Sequence, residues 1–182
     1  MLRPDFYLYG QCSMRISPLT IIPMPLKCNW QKQRRDNLIL KNQKVDICRD
    51  CDFSYSNIAN TDFTGVSAAD CDLSEVTVSG CKMISAQFDN VMMSDTSVVN
   101  ANMSGSAFTD VSMSKFRMTN GDMTDARMES TDVSKASFVG CDLSDVTFEN
   151  CNLTGLNINS CQVSGVTIDG IPLSELLEKY YK

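Results

Sequence analysis

The sequence predicts an all-β solenoid, a chain that turns a corner every five residues and ends in a short helix. Two observations predict the coil: an unbroken apolar position every fifth residue, and small residues two places before each of them. A third, the loss of that period at both ends, predicts the flanking segments. From Phe53 through Ile58, Phe63, Ala68 and onward to Ile168 and Leu173, all twenty-five positions of the series are apolar. In a chain that is 43% hydrophobic, such a run has a chance probability of roughly one in a billion. The repeat therefore governs the fold, and no insertion or deletion breaks its frame.

The small residues, among them Cys51, Ser56, Thr61, Val66, Cys71 and Cys81, must point the same way as the apolar ones that follow. Successive side chains of a strand turn to opposite faces, so residues two apart share a face. Asp or Asn recurs between them, and Ser or Thr often follows, as in Cys71-Asp72-Leu73-Ser74 and Cys141-Asp142-Leu143-Ser144. Those positions face water. A period of five fits neither a helix nor a long strand, and it requires corners without fixing how many make one turn.

Segments such as Cys51-Asp52-Phe53, Ala101-Asn102-Met103 and Cys151-Asn152-Leu153 resemble the pentapeptide-repeat family, whose consensus is Ala-(Asp/Asn)-(Leu/Phe)-X-X. The resemblance covers about two thirds of the chain, and Met often stands where the family has Leu or Phe. It implies the fold of that family, a right-handed quadrilateral parallel β-helix with four quintets to a coil. Asp52, Asp62, Asp72, Asp122, Asp132 and Asp142 are separated by multiples of ten, as are six inward cysteines, so alternate quintets are alike. In a four-faced coil, opposite faces are then similar. About six coils at roughly 4.8 Å each would make a rod near 30 Å long, and Phe88, Phe108 and Phe148 are expected in one interior stack.

Three segments result: a basic, non-repeat segment over 1–45, the solenoid over 46–170, and a capping or dimerisation helix over 171–182. In the last, Leu173, Leu176, Leu177, Tyr180 and Tyr181 follow the spacing of one helical face, and Pro172 suits a first helical position. Such a helix could close the last coil as a lid, with Leu176 and Leu177 buried, or carry a homodimer contact, since relatives in this family often pair through that end. Residues 1–45 hold eight Lys and Arg against Asp5 and Asp36. They read as an N-terminal cap, as a contact for nucleic acid or an acidic partner through residues 27–44, or as an organelle-targeting sequence.

Chemistry is sparse. The chain has no histidine, which removes the commonest general base and the commonest zinc partner of cysteine. Nine cysteines, an odd number at repeat spacing, suit reduced thiols in a packed interior and a cytoplasmic location. Cys48-Arg49-Asp50-Cys51 is a lone C-x-x-C, and metal or redox use would need a second pair. No cofactor, metal, catalytic site or membrane span is expected, and no disulfide among the six inward cysteines. Seven of the eleven methionines, from Met83 to Met128, occupy central quintet positions and read as core.

The acidic surface is the strongest functional feature. Residues 46–170 carry 18 Asp and Glu against 6 Lys and Arg, concentrated in 46–75 and 120–149 with a balanced belt between. The expectation is a non-enzymatic protein-interaction or scaffold module with an unidentified protein partner, and Asp52, Asp62, Asp72, Asp122, Asp132 and Asp142 as a candidate interaction surface. The family resemblance implies the alternative, a DNA-mimicking binder of a type II topoisomerase that inhibits or protects gyrase.

Overall fold

The computed structural model describes residues 13–16, 39–41 and 45–180, and the expectations for Tyr181 and for most of 1–45 lie outside them. Residues 46–170 form the predicted right-handed, four-faced β-helix of about six turns. One sheet runs β1 (Ser13–Ile16), β3 (Val45–Arg49), β5 (Ser67–Ala69), β7 (Gln87–Asp89), β9 (Ala107–Thr109), β11 (Arg127–Glu129), β13 (Thr147–Glu149), β15 (Thr167–Ile168) and β16 (Ile171–Pro172). The opposite sheet holds β2 (Ile39–Lys41), β4 (Asn57–Ala59), β6 (Thr77–Ser79), β8 (Ser97–Val99), β10 (Arg117–Thr119), β12 (Ser137–Val139) and β14 (Asn157–Asn159). We call them the odd and even sheets.

Register fixes the coil at twenty residues. Phe88 pairs with Phe108, Phe108 with Met128, and Met128 with Phe148, so the three predicted rings do share one interior column. The Phe88 and Phe108 rings stack at 5.0 Å with 5° between their planes. Between the sheets lie two narrower faces on which only one residue per coil bridges to the next, as in Asp52 to Asp72 and Asp62 to Lys82. Alternate quintets are thus of two kinds, as the spacing of Asp and Cys predicted.

The corners come from backbone conformation. Every fifth residue from Asp50 to Gly165 has a positive φ, such as 51° at Asp50, 50° at Asn60 and 54° at Asp70. An ordinary L-residue pays about 1–2 kcal/mol there, and Asn, Asp and Gly, whose side chains tolerate that region, recur at Asp50, Asn60, Asp70, Gly80, Asn90, Asn100, Asp110 and Asn120. On the narrow faces the corner is a hydrogen-bonded turn: the Ser56 N–H donates to the Phe53 carbonyl at 3.0 Å, with Tyr55 at φ 60°. That positive φ at the third turn residue is the type II pattern.

The interior is one continuous column of buried side chains, widest in the middle coils, where Met103, Phe108, Met113, Phe116, Met118 and Met123 are fully buried. Toward the N-terminus the odd-sheet column narrows to Cys48 and Ala68, beside a cavity of about 40 Å³ also lined by Phe53, Ile58 and Phe88. Toward the C-terminus, Leu153, Ile158, Val163 and Ile168 are only half-buried.

Both ends of the odd sheet depart from the parallel ladder. β1 pairs antiparallel with β3, and β16 folds back antiparallel on β15 through Asp169 and Gly170, with φ 47° and 75°. Two consecutive positive φ values make the tight turn that suits a hairpin. This reversal changes the outcome expected for the C-terminal helix. α1 (Leu173–Tyr180) forms within the predicted segment, but Ile171 and Pro172, expected in its first turn, lie in β16, and the helix contains no buried residue. Leu173 packs half-buried against the core and Leu176 is half-buried, whereas Leu177 is 45% and Tyr180 82% exposed. The hairpin carries the chain back along the last strand, and burial of Leu176 and Leu177 as a lid does not occur.

Candidate functional site

The six aspartates singled out in the sequence fall on two opposite faces. Asp52, Asp72 and Asp132 stack on one narrow face, and Asp62, Asp122 and Asp142 on the other. Each also does a local job, because one carboxylate oxygen accepts the backbone N–H two residues on. The distances are 2.9 Å from Ser54 to Asp52, 2.9 Å from Thr64 to Asp62, 2.8 Å from Ser74 to Asp72, 2.9 Å from Thr124 to Asp122, 3.0 Å from Ser134 to Asp132 and 2.9 Å from Ser144 to Asp142. An Asx turn of this kind supplies the polar cap that a tight corner needs. Hydrogen bonds from the Ser144 side chain and N–H hold the Asp142 carboxyl below the usual 3.8. Asn102 donates to Asp122 at 2.9 Å and Asn152 to Asp132 at 3.0 Å, tying neighbouring coils.

A second acidic array runs along the corner where the odd sheet meets the Asp52 face. Asp70, Asp89, Asp110, Glu129, Glu149 and Asp169 stand there, one exposed carboxylate at the C-terminal end of each strand from β5 to β15. At roughly 4.8 Å per coil the ridge is about 24 Å long. Windows of sequence hid it, since the middle coils look balanced when all four faces are counted together. In the structure their three cations, Lys82, Arg117 and Lys115, sit on the three other faces. The signal was present as acids at steps of nineteen to twenty-one. The even sheet is the opposite extreme, with no carboxylate between 56 and 60 or in any later quintet stacked on it, and with Arg117 as the one charge in those quintets.

Six thiols, Cys51, Cys71, Cys81, Cys141, Cys151 and Cys161, occupy the inward small positions, and the hydrogen bonds explain why. At these positions Ser106 donates to the Met83 carbonyl at 2.6 Å and Thr131 to the Phe108 carbonyl at 3.3 Å. Cys81, Cys141, Cys151 and Cys161 aim their S–H groups at the same relative carbonyl, twenty-three residues earlier, at 3.7, 3.6, 3.3 and 3.4 Å. Cysteine here is a compact side chain that also serves as a weak donor. Burial pushes the thiols of Cys81, Cys141 and Cys151 above their ordinary value.

One corner is different. The coil brings Cys71 directly above Cys51 and beside Cys48, so the sulfurs of all three lie within 4.8 Å of one another, with Cys48 and Cys71 at 3.2 Å. Their exposures are 5%, 3% and 2%. Hydrogen bonding with Cys51 and Cys71, reinforced by burial, pushes the Cys48 thiol up, and hydrogen bonding with Cys48 and Cys51 pulls Cys71 down. The lone C-x-x-C thus gains a third sulfur from twenty residues on, a partner invisible until the coil length was known.

A broad groove of about 430 Å³ opens where the even sheet meets the Asp62 face, lined by Asn120, Gly121, Asp122, Gly140, Cys141 and Asp142 among others. Two of its lining residues, Gly121 and Gly140, have no room for a side chain. A Cβ at Gly121 would run into Met118, and one at Gly140 would come within 2.9 Å of Asn120 Oδ1. No helix among the described residues is long and apolar enough to cross a membrane.

The chain is similar in fold to a pentapeptide repeat protein of the Arabidopsis thaliana thylakoid lumen, at 19% identity and a TM-score of 0.33, over 54% of this chain and 62% of that one. It thus spans less than two thirds of that protein. It is also similar to QnrB1, described as a plasmid-mediated fluoroquinolone resistance protein, at 18% identity and a TM-score of 0.33, over 80% and 90% of the two chains. A pentapeptide repeat protein, Rfr23, from the cyanobacterium Cyanothece 51142 aligns at 12% identity and a TM-score of 0.30, over 68% and 90%. No curated protein matches the sequence. The family model described as pentapeptide repeats matches in overlapping segments over 47–83, 71–110, 106–145 and 134–170, more than half of the chain. With its twenty-residue coil and its alternation of strand and turn faces, the chain belongs to the pentapeptide-repeat family.

Proposed function

We propose that this protein is a non-enzymatic scaffold that docks a basic partner protein along its acidic ridge. The observation that carries the reading is the segregation of charge by face: one exposed carboxylate per coil on the ridge, against an even sheet with none. A straight row of charges on a rigid backbone presents its field without an ordering cost at binding, and it steers a basic surface of matching length. Asp72 and Asp132 flank the ridge, whereas Asp62, Asp122 and Asp142 lie on the far side. Pentapeptide-repeat proteins are generally structural or interaction modules, which supports the same reading.

The test is affinity capture from the native host, comparing the wild-type rod with a variant carrying Asp89→Asn, Asp110→Asn, Glu129→Gln and Glu149→Gln. A basic partner held by the wild type, released by salt and absent from the variant is the expected result. A partner retained equally by both sinks the proposal.

A specific observation also favours the alternative, a DNA-mimicking binder of a type II topoisomerase. Over about 24 Å one strand of duplex DNA carries roughly seven phosphates, and the ridge carries six carboxylates. Inhibition of gyrase supercoiling by the wild type but not by the ridge variant would select this reading over a scaffold for another partner. Ile171, Leu177 and Tyr180, exposed beside the half-buried last coil, further suit a homodimer contact at the C-terminal end.

A further inference from the structure

We propose that Cys48, Cys51 and Cys71 form a three-thiolate site for a soft monovalent cation, Cu(I). Three sulfurs bound to one metal at about 2.3 Å stand roughly 4 Å apart. The present sulfurs lie within 4.8 Å of one another, so the triangle closes by shifts on the order of an ångström. Room for those shifts exists, because the cavity of about 40 Å³ borders Cys48 and the small Ala68 stacks above it.

The donor set selects the metal. Zinc asks for four ligands, and a structural site completes them with cysteine or histidine. This chain has no histidine, and among the described residues only these three sulfurs come together. Soft thiolates without a fourth ligand suit Cu(I). Exposures of 5%, 3% and 2% keep water from the position where a fourth ligand would stand. On the outer surface of the same corner, Asp50, Asp52, Asp70 and Asp72 draw cations toward it. Binding replaces protons and moves no electrons: each S–H loses its proton to solvent as its sulfur bonds to the metal, which enters and stays as Cu(I). The stacked pair Cys141 and Cys161 offers two sulfurs and no third among the described residues, so it serves as the internal control.

The experiment titrates full-length, fully reduced protein with Cu(I) under anaerobic conditions against a chromophoric Cu(I) chelator. One equivalent should be retained, with a shell of three sulfurs in X-ray absorption. Cys48→Ala and Cys71→Ala should each weaken retention by at least about tenfold. A variant with Cys141→Ala and Cys161→Ala, and another with Cys12→Ser and Cys28→Ser, should retain it unchanged. Where a substitution unfolds the chain by circular dichroism, the wild-type absorption spectrum decides. No retained copper, a two-sulfur shell, stronger retention of zinc, or indifference to Cys48→Ala in a folded variant overturns the proposal. So does loss of retention in the Cys12 and Cys28 variant.

Discussion

At Ser106 a hydroxyl sits where Ala, Cys or Thr stands in other quintets, and it makes two bonds there: it donates to Met83 at 2.6 Å and accepts from the Ala86 N–H at 3.2 Å. Removing it leaves the Ala86 N–H and the Met83 carbonyl only their mutual bond at 3.2 Å, so Ser106→Ala should cost about 0.5–1.5 kcal/mol in urea unfolding. Ser106→Cys keeps a donor and should cost less; equal losses would show that the bonds contribute little. Asp142 gives a titration counterpart. Its folded pKa lies below the unfolded 3.8, so its contribution is full above that value and fades as pH falls through the folded one. Ser144→Ala should move the Asp142 pKa, followed by NMR, upward toward 3.8. The inward step of five was legible because burial selects apolar side chains at a fixed interval. The carbonyl met by each hydroxyl or thiol was not, since its offset of twenty-three depends on the length of a whole coil. Cys71 escaped the C-x-x-C reading for the same reason.

Among the elements, the corners show how far pattern carries. Asn, Asp or Gly stands at most of the corners spaced ten apart from Asp50, yet Tyr55, Glu75, Lys115 and Lys135 adopt the same conformation with φ between 56° and 60°. There the neighbouring coils impose a shape that the residue does not favour. The C-terminal helix shows the limit from the other side. Its amphipathic spacing was plain, but where that face would point depended on the Asp169-Gly170 hairpin, which turns the chain before the helix begins. Leu177→Ala should therefore cost under about 1 kcal/mol rather than the 2–5 kcal/mol of a buried leucine. Chemical denaturation of dilute protein measures it. A larger loss at low concentration would mean that the helix packs on the rod, and a loss that appears only at high concentration would mark an interface between copies.

For the whole molecule, the four-faced coil is what converts a list of charges into surfaces. The balanced belt of residues 76–119 dissolves once Asp89 and Asp110 join the ridge and Arg117 goes to the opposite sheet. The net charge was legible, but its segregation needed the coil length. Stability should also vary along the axis, because each coil in a solenoid is held only by its neighbours. Amide exchange should be slowest from β7 to β11, where the core is fully buried, and faster in β3, beside the cavity, and in β15, on the half-buried last coil. Uniform exchange along the rod would contradict this. The reversed strands at the two ends bear on a different matter. A ladder of parallel strands repeating every twenty residues is a template on which a second chain could continue, coil upon coil, into a fibril. β1 and β16 run against that direction, and Pro172 in β16 has no N–H to offer an incoming strand. The odd sheet thus ends in strands of the wrong polarity for growth.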